Sequence, residues 1–579
     1  MIRRIMLGTV LTVWGLGFVG CGLGPPEAFD PRAIAHGERA GATSVRTARL
    51  QRLPTTRDIA PIGGGPMTPR NDPTASSKAD VVPVVRLSLR ELIHRAVANN
   101  HDVKVAGYQP SIEGARVIEA QGHFDPVFFT NAQYQRKDEL TGGQIFNDFT
   151  NGLIPIESNL DREDIGTLQT GFQQNLQSGG QLQLQYETTY NWFSPQRELL
   201  NPFYTSDLSL QLTQPLLRNF GYEVNQAQIT ISRLTQKESL LEFRKAVEQN
   251  AADIEKAYWQ LVQAERDITI EQDLVNQTEI TYQILETRMK RGLDVSQLQV
   301  AQAQTVLESR RGQLLQFKSQ ARDLSDQLKA LMSDPEFPVT SSVLILPADA
   351  PVEAPMNFNL QDEIDTAMQN RFELGEQQLK IEAATVTIRV AKNNLLPELD
   401  FIGSVGPQGA GGSEGTAMGT NAQFDHLDYT VGFKLQVPLG NREARAIWKR
   451  TLLQRMQAIE QYRSLVEQVA VDVKTSARAV ATAWELVGAN RRARFSAQDA
   501  LRAINERERA NEPLTPEFVK LKLDTQDTLS QSMQAEVQAI ANYNIALSQL
   551  ERAKGTLLRY NNVLLEEETP HDEEAGLLH

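Results

Sequence analysis

Two long stretches of the chain lack proline and have the apolar spacing of helices. They cover residues 216–334 and 439–512. In the first, apolar side chains recur every seven residues, at Val247, Ile254, Leu261, Ile268, Val275, Tyr282 and Met289. This spacing keeps one seam of a helix against a partner and favours coiled-coil packing. A helix from about Asn225 to Lys290 would be ~100 Å long at 1.5 Å per residue, so the pattern predicts an elongated molecule.

Turn residues interrupt the first helical stretch near its middle and end the second, after which helical sequence continues to about residue 560. Residues 291–294 read Arg-Gly-Leu-Asp, and residues 511–515 read Asn-Glu-Pro-Leu-Thr. Glycine and proline in such positions favour a reversal of the chain. The sequence therefore predicts two long helical hairpins, over residues 225–332 and 441–560.

Other segments alternate apolar and polar side chains, as a strand with one apolar and one polar face does. The predicted strands lie near residues 125–135, 166–177, 181–192, 205–214, 398–406 and 427–437. A soluble β-sandwich would give the same alternation. Segments of about ten residues with aromatic side chains near their ends, such as Phe128 and Tyr204, instead suit tilted strands that cross a bilayer around a polar lumen.

An internal duplication organises these elements. Leu89–Asn100 aligns with Leu360–Arg371 at an offset of 271 residues, whereas Pro215 aligns with Pro438 at an offset of 223. We therefore expect one repeat over residues 86–345, with strands in 124–214, and a second over 346–562, with strands in 398–437. The first repeat holds about 48 additional residues. A strand hairpin near 166–192 would account for many of them. This hairpin could either be part of a membrane barrel or fold over the rim of the barrel.

The N-terminus has the pattern of a secretory signal. Arg3 and Arg4 precede an apolar run from Ile5 to Val19, and Cys21 is the only cysteine of the chain. The end of this run resembles a bacterial lipobox, which predicts a signal peptide over residues 1–20 and lipid attachment at Cys21. The segment 21–85 is rich in proline and glycine and is expected to be a disordered tether. Residues 563–579 are expected to form an acidic disordered tail.

Charge and motifs exclude several functional classes. The net charge of -14, with acidic and basic residues interspersed, argues against a nucleic-acid partner. A single cysteine permits neither an intrachain disulfide nor a thiolate metal site. The chain has no zinc-protease, phosphate-loop or nucleophile-elbow motif. We expect no enzymatic activity, no cofactor and no metal.

Two segments resemble the TolC-like outer membrane efflux protein family. Residues 214–221 (Gln-Pro-Leu-Leu-Arg-Asn-Phe-Gly) are similar to its passage from strand to helix, and residues 543–558 to its C-terminal helix. The resemblance implies an α+β membrane protein with long periplasmic α-helical hairpins that form an α-barrel or coiled coil. Its transmembrane β-strands would contribute to a trimeric β-barrel in the bacterial outer membrane. A single chain has too few strands to close a pore, and open sheet edges cannot face lipid, so an oligomer follows.

The resemblance also implies partners. The chain would be a passive conduit, lipid-anchored and assembled as a homotrimer. It would be driven by an inner-membrane pump, of the resistance-nodulation-division or ABC type, through a periplasmic adaptor. Tripartite efflux and type I secretion both fit, and the transported substrate stays open. The alternative is a coiled-coil scaffold lipoprotein of the periplasm that forms no channel.

Site residues follow from the family pattern. The adaptor would dock on the hairpin ends at Gly292, Leu293, Leu514 and Thr515. Pro513 departs from the usual glycine of the family, and these positions are equally compatible with simple tight turns. Asp524 and Asp527 are spaced like the acidic pair that closes the tunnel in the family, although a solvated helix face also explains them. In the first repeat, Gln299 occupies the corresponding position without a charge.

Overall fold

The computed structural model describes residues 83–147, 152–194, 199–510 and 513–563. For residues 140–147 and 152–161 it describes the backbone alone. The signal segment, Cys21, and nearly all of the predicted tether and acidic tail lie outside these ranges, and so do residues 511 and 512. Val563, which the sequence assigned to the tail, is buried in the main hydrophobic core.

The first half of the described chain runs from a short strand through helices and strands to two long helices. Strand β1 (Val84–Leu87) precedes helices α1 (Leu89–Asn99) and α2 (His101–Gln121). The next elements are strands β2 (Val127–Asn147), β3 (Gly152–Asn175), β4 (Gln181–Ser194) and β5 (Phe203–Pro215). They lead into helices α3 (Tyr222–Asn225), α4 (Ala227–Lys290) and α5 (Gln297–Met332), and strand β6 (Leu344–Pro347) follows.

The second half has a similar order with fewer strands. It contains helices α6 (Leu360–Asn370) and α7 (Phe372–Asn393), strand β7 (Glu398–Gly411), helix α8 (Glu414–Asn421), strand β8 (Leu427–Gln436), and helices α9 (Arg442–Arg509), α10 (Pro516–Lys554) and α11 (Leu557–Tyr560). The sequence pattern did not predict α8, which is short and begins at a capping box formed by Ser413 and Thr416.

Helix α4 has the length that its seam of apolar residues predicts. Its 64 residues give a length of ~96 Å at 1.5 Å per residue. Val247, Ile254 and Leu261 of the seam are fully buried in the main hydrophobic core, and Ile268 packs against its edge. The helix contacts α2, α5, α7 and α10, so this single helix forms the spine of the helical part.

Six strands form one antiparallel sheet in the order β2-β3-β4-β5-β7-β8. The hairpin predicted near 166–192 therefore lies within the sheet, between β2 and β5. Strands β2 and β3 are longer than the predicted 125–135 and 166–177. The additional residues begin where cross-strand ion pairs replace the apolar alternation. Arg136 donates to Asp164, and Arg162 donates to Asp138. Because these positions carry charges, the apolar pattern could not predict that the strands continue.

Candidate functional site

The ends of the two long hairpins contact each other. We call residues 291–296 the first hairpin end and residues 513–515 the second. The backbone N–H of Leu514 donates to Oδ2 of Asp294 at 3.1 Å, and Nε2 of Gln299 donates to the carbonyl oxygen of Leu514 at 2.6 Å. The two repeats are thus joined at the extremity of the helical part.

Local sequence explains how each end turns. In the first, Gly292 has φ +68°, a conformation that glycine adopts without steric cost. Ser296 and Gln299 then form a capping box that starts α5. In the second, the Thr515 side chain accepts a hydrogen bond from the N–H of Phe518 at 3.2 Å, and Pro516 occupies the first turn of α10.

A hydrophobic cluster lies beneath the two ends. Its buried members are Leu285, Val295, Val300, Ala303, Ile504, Leu514, Phe518, Val519 and Leu523. Of the predicted docking residues, Gly292, Leu293 and Thr515 are exposed, with Leu293 52% exposed, whereas Leu514 is 3% exposed. The Leu514 side chain packs inside its own chain, and its backbone N–H and carbonyl are bonded to Asp294 and Gln299, so the exposed surface of the hairpin ends is formed by the other three residues.

Gln299 has a structural role within the chain. Its side chain is buried, and its Oε1 accepts a hydrogen bond from the N–H of Ser296 at 2.6 Å. Its amide nitrogen is the donor to Leu514 described above. The residue that the family pattern aligned with a gate position thus holds the two hairpin ends together.

A buried arginine joins three helices farther along α5. Arg310 is only 2% exposed. Its Nη2 donates to the carbonyl oxygen of Leu523 at 2.9 Å and to Oδ1 of Asp527 at 3.0 Å, both on α10, and its Nη1 donates to the Thr278 hydroxyl on α4. Sequence reasoning missed this residue, because an arginine amid polar neighbours of a long helix is ordinarily exposed.

The two predicted gate residues have different surroundings. Burial lowers the pKa of the Arg310 guanidinium, and the carboxylates of Asp527 and Glu271 oppose that shift. Burial raises the pKa of Glu271, which Arg310 opposes. Asp527 is thus paired with a buried cation, whereas Asp524 is exposed to solvent. The spacing in the sequence suggested one acidic pair, but only one of its carboxylates takes part in the contacts between helices.

A cavity of about 910 Å³ lies among α4, α7, α9 and α10. Its lining includes Glu248, Arg371, Glu373 and Arg552. Burial raises the pKa of Glu248 to about 7, Glu373 adds to the shift, and Arg371 opposes it. Within the described residues, Oε1 of Glu248 has no hydrogen-bond partner. The cavity is polar, and no group of three or more metal-ligating side chains occurs in the part of the chain that the structure describes.

The six-stranded sheet has one apolar and one polar face. Phe128, Phe172, Leu184, Leu210, Val405 and Tyr429 lie opposite one another along a row of the apolar face. On the polar face, the Gln169 and Gln185 amides donate to Glu187 at 2.8 Å and 3.0 Å. Aromatic pairs flank the apolar face, with ring centroids 5.6 Å apart for Phe401 and Phe433 and 5.4 Å apart for Tyr190 and Tyr204. Along the described ranges, no helix has both the length and the apolar character needed to cross a bilayer.

Comparison with known proteins gives one family match. Residues 178–333 match the model of the family described as outer membrane efflux protein. This segment runs from the β3–β4 turn to the end of the first helical hairpin. No curated protein sequence matches this chain significantly.

Solved structures extend the likeness over most of the chain. The outer-membrane channel OprN is 16% identical, with a TM-score of 0.58 over 85% of this chain and 98% of OprN. The outer membrane channel CmeC of Campylobacter jejuni is 15% identical, with a TM-score of 0.56 over 84% of this chain and 88% of CmeC. CusC, which forms a transmembrane channel, is 14% identical, with a TM-score of 0.58 over 81% of this chain and 92% of CusC. Identities of this size show a shared fold.

Proposed function

We propose that this chain is a member of the TolC-like outer membrane efflux protein family and an outer-membrane channel subunit, as the family match over residues 178–333 and the fold shared with OprN support. Three copies would form a passive conduit from the periplasm to the exterior. The observation that carries this proposal is the combination, in one chain, of a two-faced antiparallel sheet with a helix, α4, that is ~96 Å long at 1.5 Å per residue. A sheet with an apolar outer face and a polar inner face suits a barrel wall between lipid and water.

The features at the strand ends support a membrane position for the sheet. Aromatic pairs at both ends of the apolar face are where interfacial girdles occur in outer-membrane barrels. Beyond the pair of Tyr190 and Tyr204, Arg136 and Asp164 form an ion pair on the same face, with hydrogen bonds of 2.6 Å and 2.8 Å. Charged side chains at that level belong outside the hydrocarbon region, since burying them in lipid is costly.

The hairpin ends are the proposed docking surface for a periplasmic adaptor. Three of their residues are exposed, Gly292, Leu293 and Thr515. The hydrophobic cluster packs directly beneath them, so we expect this surface to be rigid. An inner-membrane pump would supply the energy through this adaptor. Lipid attachment at Cys21 would hold the assembly to the outer membrane. Asp524 and Asp527 are the candidate acidic ring near the periplasmic entrance.

The test is single-channel recording of the purified Cys21→Ala protein in a planar bilayer, together with its mass in detergent. We expect stable pores that prefer cations, formed by a trimer. A protein that needs no detergent and does not conduct would contradict the channel and would favour the scaffold lipoprotein instead.

A second test addresses docking. Leu293→Asp should weaken adaptor binding while oligomeric mass and conductance stay unchanged. The matched control is Ile284→Asp, which changes a partly exposed apolar residue of α4 outside the hairpin end. Equal effects of both variants would remove the hairpin end as the docking surface.

A further inference from the structure

The two halves of the chain build their strands differently. In the second half, β7 and β8 are consecutive strands and pair directly. Pro126 and Pro215, which correspond to Pro397 and Pro438 in the alignment of the repeats, mark β2 and β5 as the counterparts of β7 and β8. Strands β3 and β4 are therefore an inserted hairpin, present only in the first half.

This inserted hairpin is continuous with the sheet on both sides. It separates β2 from β5, pairing with β2 along most of β3 and with β5 along most of β4. The faces also continue through it, since Leu168, Phe172 and Leu184 lie on the apolar side and Gln169 and Gln185 on the polar side. A hairpin folded over a rim has no reason to keep both the hydrogen-bond register and the alternation of its neighbours.

Among the residues that the structure describes, the sheet ends in two open edges, β2 and β8. The edge strand β8 is exposed along nearly its whole length, with Tyr429 78% and Phe433 67% exposed. A long apolar edge of this kind must pair with another strand, and in lipid it cannot remain open. Strand β2 leads away from α2 and β8 leads back to α9, so β2 of one copy can pair antiparallel with β8 of the next.

We propose that three copies, joined from β2 to β8, close an 18-stranded barrel in which the inserted hairpin forms part of the wall. This inference rests on the proposed function, because it takes the sheet to be the membrane-spanning part of a trimer. Strands spaced ~4.8 Å apart and tilted ~40° would give a barrel roughly 36 Å across, against roughly 24 Å for the same trimer without the inserted hairpin. Barrels of this strand number leave an aqueous channel. The helical part, and not the barrel, would then limit the size of the cargo.

Site-directed fluorescence tests this wall. Single cysteines are placed in the Cys21→Ala chain at each position from 182 to 189 of β4, and at 429–436 of β8 as the reference strand. Each is labelled with a small fluorophore, and the protein is reconstituted in vesicles of phosphatidylcholine with brominated acyl chains. We expect loss of fluorescence at every second position in both strands, at Leu184 but not at Gln185, and at Val431 but not at Thr430. Quenching by aqueous iodide should follow the opposite set.

The expected alternation of quenching is read from eight positions in each strand, so one variant that fails to fold does not remove it. Native mass spectrometry of the same preparations counts the copies, and three are expected. The period in β8 but not in β4 would place the inserted hairpin outside the wall and overturn the inference while leaving the proposed channel intact. No period in either strand would instead contradict the proposed function. The period in both strands with a copy number other than three would overturn the 18-stranded barrel.

Discussion

The hairpin ends and the sheet differ in how completely their apolar and polar groups are buried and bonded within one chain. At the hairpin ends and in the adjoining turns of α5 and α10, Gln299 donates a hydrogen bond to Leu514, Arg310 donates to Asp527, and an apolar cluster fills the space between the helices. At the sheet end, Tyr429 and Phe433 of β8 are largely exposed. The hairpin ends are therefore packed within one chain, whereas the described residues leave the edge strand β8 of the sheet uncovered.

Removing the buried cation of α5 should have the largest effect. Arg310→Ala leaves Asp527, Thr278 and the Leu523 carbonyl without their donor, and loss of one partner from a buried polar network costs about 3 kcal/mol. Asp527 is half exposed, so the cost is expected at the lower end of what such losses produce. Hydrogen–deuterium exchange in residues 274–290 and 516–530 should become faster.

The neighbouring residue is the matched control for that variant. Arg311 forms ion pairs with Glu279 and Glu308 in an exposed position, and pairs of this kind contribute about 0–1 kcal/mol. Arg311→Ala should leave exchange near the wild-type rate. Similar acceleration in both variants would mean that Arg310 acts through general helix stability and not through its contacts with α4 and α10.

A charge on the apolar face of the sheet tests the other end. In the proposed channel, Val431→Lys would place an ammonium group towards lipid, at a cost of about 2–4 kcal/mol near the bilayer midplane. The control is Thr430→Lys, one residue away on the polar face, which should change little. Urea titration of folding into lipid vesicles measures both. If the two variants were equally stable, the proposed assignment of the faces would be wrong.

Loss of the amide that joins the hairpin ends should have a smaller, local effect. Gln299→Ala removes the bond to the Leu514 carbonyl and the cap at Ser296, and an unsatisfied buried polar group costs about 1–3 kcal/mol. Limited proteolysis should then cleave faster within residues 291–296 and 513–515. Gln297→Ala, which changes an exposed residue of the same helix turn, serves as the control and should be cleaved like the wild type.

The smallest expected effect is a dependence on pH. Because burial raises the pKa of Glu248 from 4.5 to about 7, the folded protein binds more protons than the unfolded chain between these values. The contribution of this carboxyl to stability is therefore present at low pH and is lost as the pH rises from about 4.5 to about 7. Glu248→Gln should flatten this part of the profile of unfolding free energy against pH, and Glu242→Gln, an exposed residue of the same helix, should not. An unchanged slope in Glu248→Gln would contradict the raised pKa.

The elements that sequence predicted well are those governed by a local period. The seven-residue spacing from Val247 to Met289 anticipated α4, and the alternation around Phe433 anticipated β8. The order of strands in the sheet could not be read in this way, because alternation is the same whichever neighbour a strand pairs with. The burial of Arg310 was not predicted for a related reason, because its partner Asp527 is more than 200 residues away in the chain. Long-range pairing of this kind leaves no local pattern.

The short strand β1 has a mechanical consequence. It pairs in parallel with β6, from Val84 opposite Leu344 to Leu87 opposite Pro347. The adjoining N–H of Leu89 donates to Asp349 at 2.7 Å, and Asp349 in turn accepts from the Tyr258 hydroxyl at 3.0 Å. Tension applied through the preceding chain would pull β1 along its own axis, so its hydrogen bonds to β6 would carry the load together in shear instead of opening one after another. A force from the N-terminal side would thus reach the spine helix α4 through Tyr258 before any long helix had to unfold.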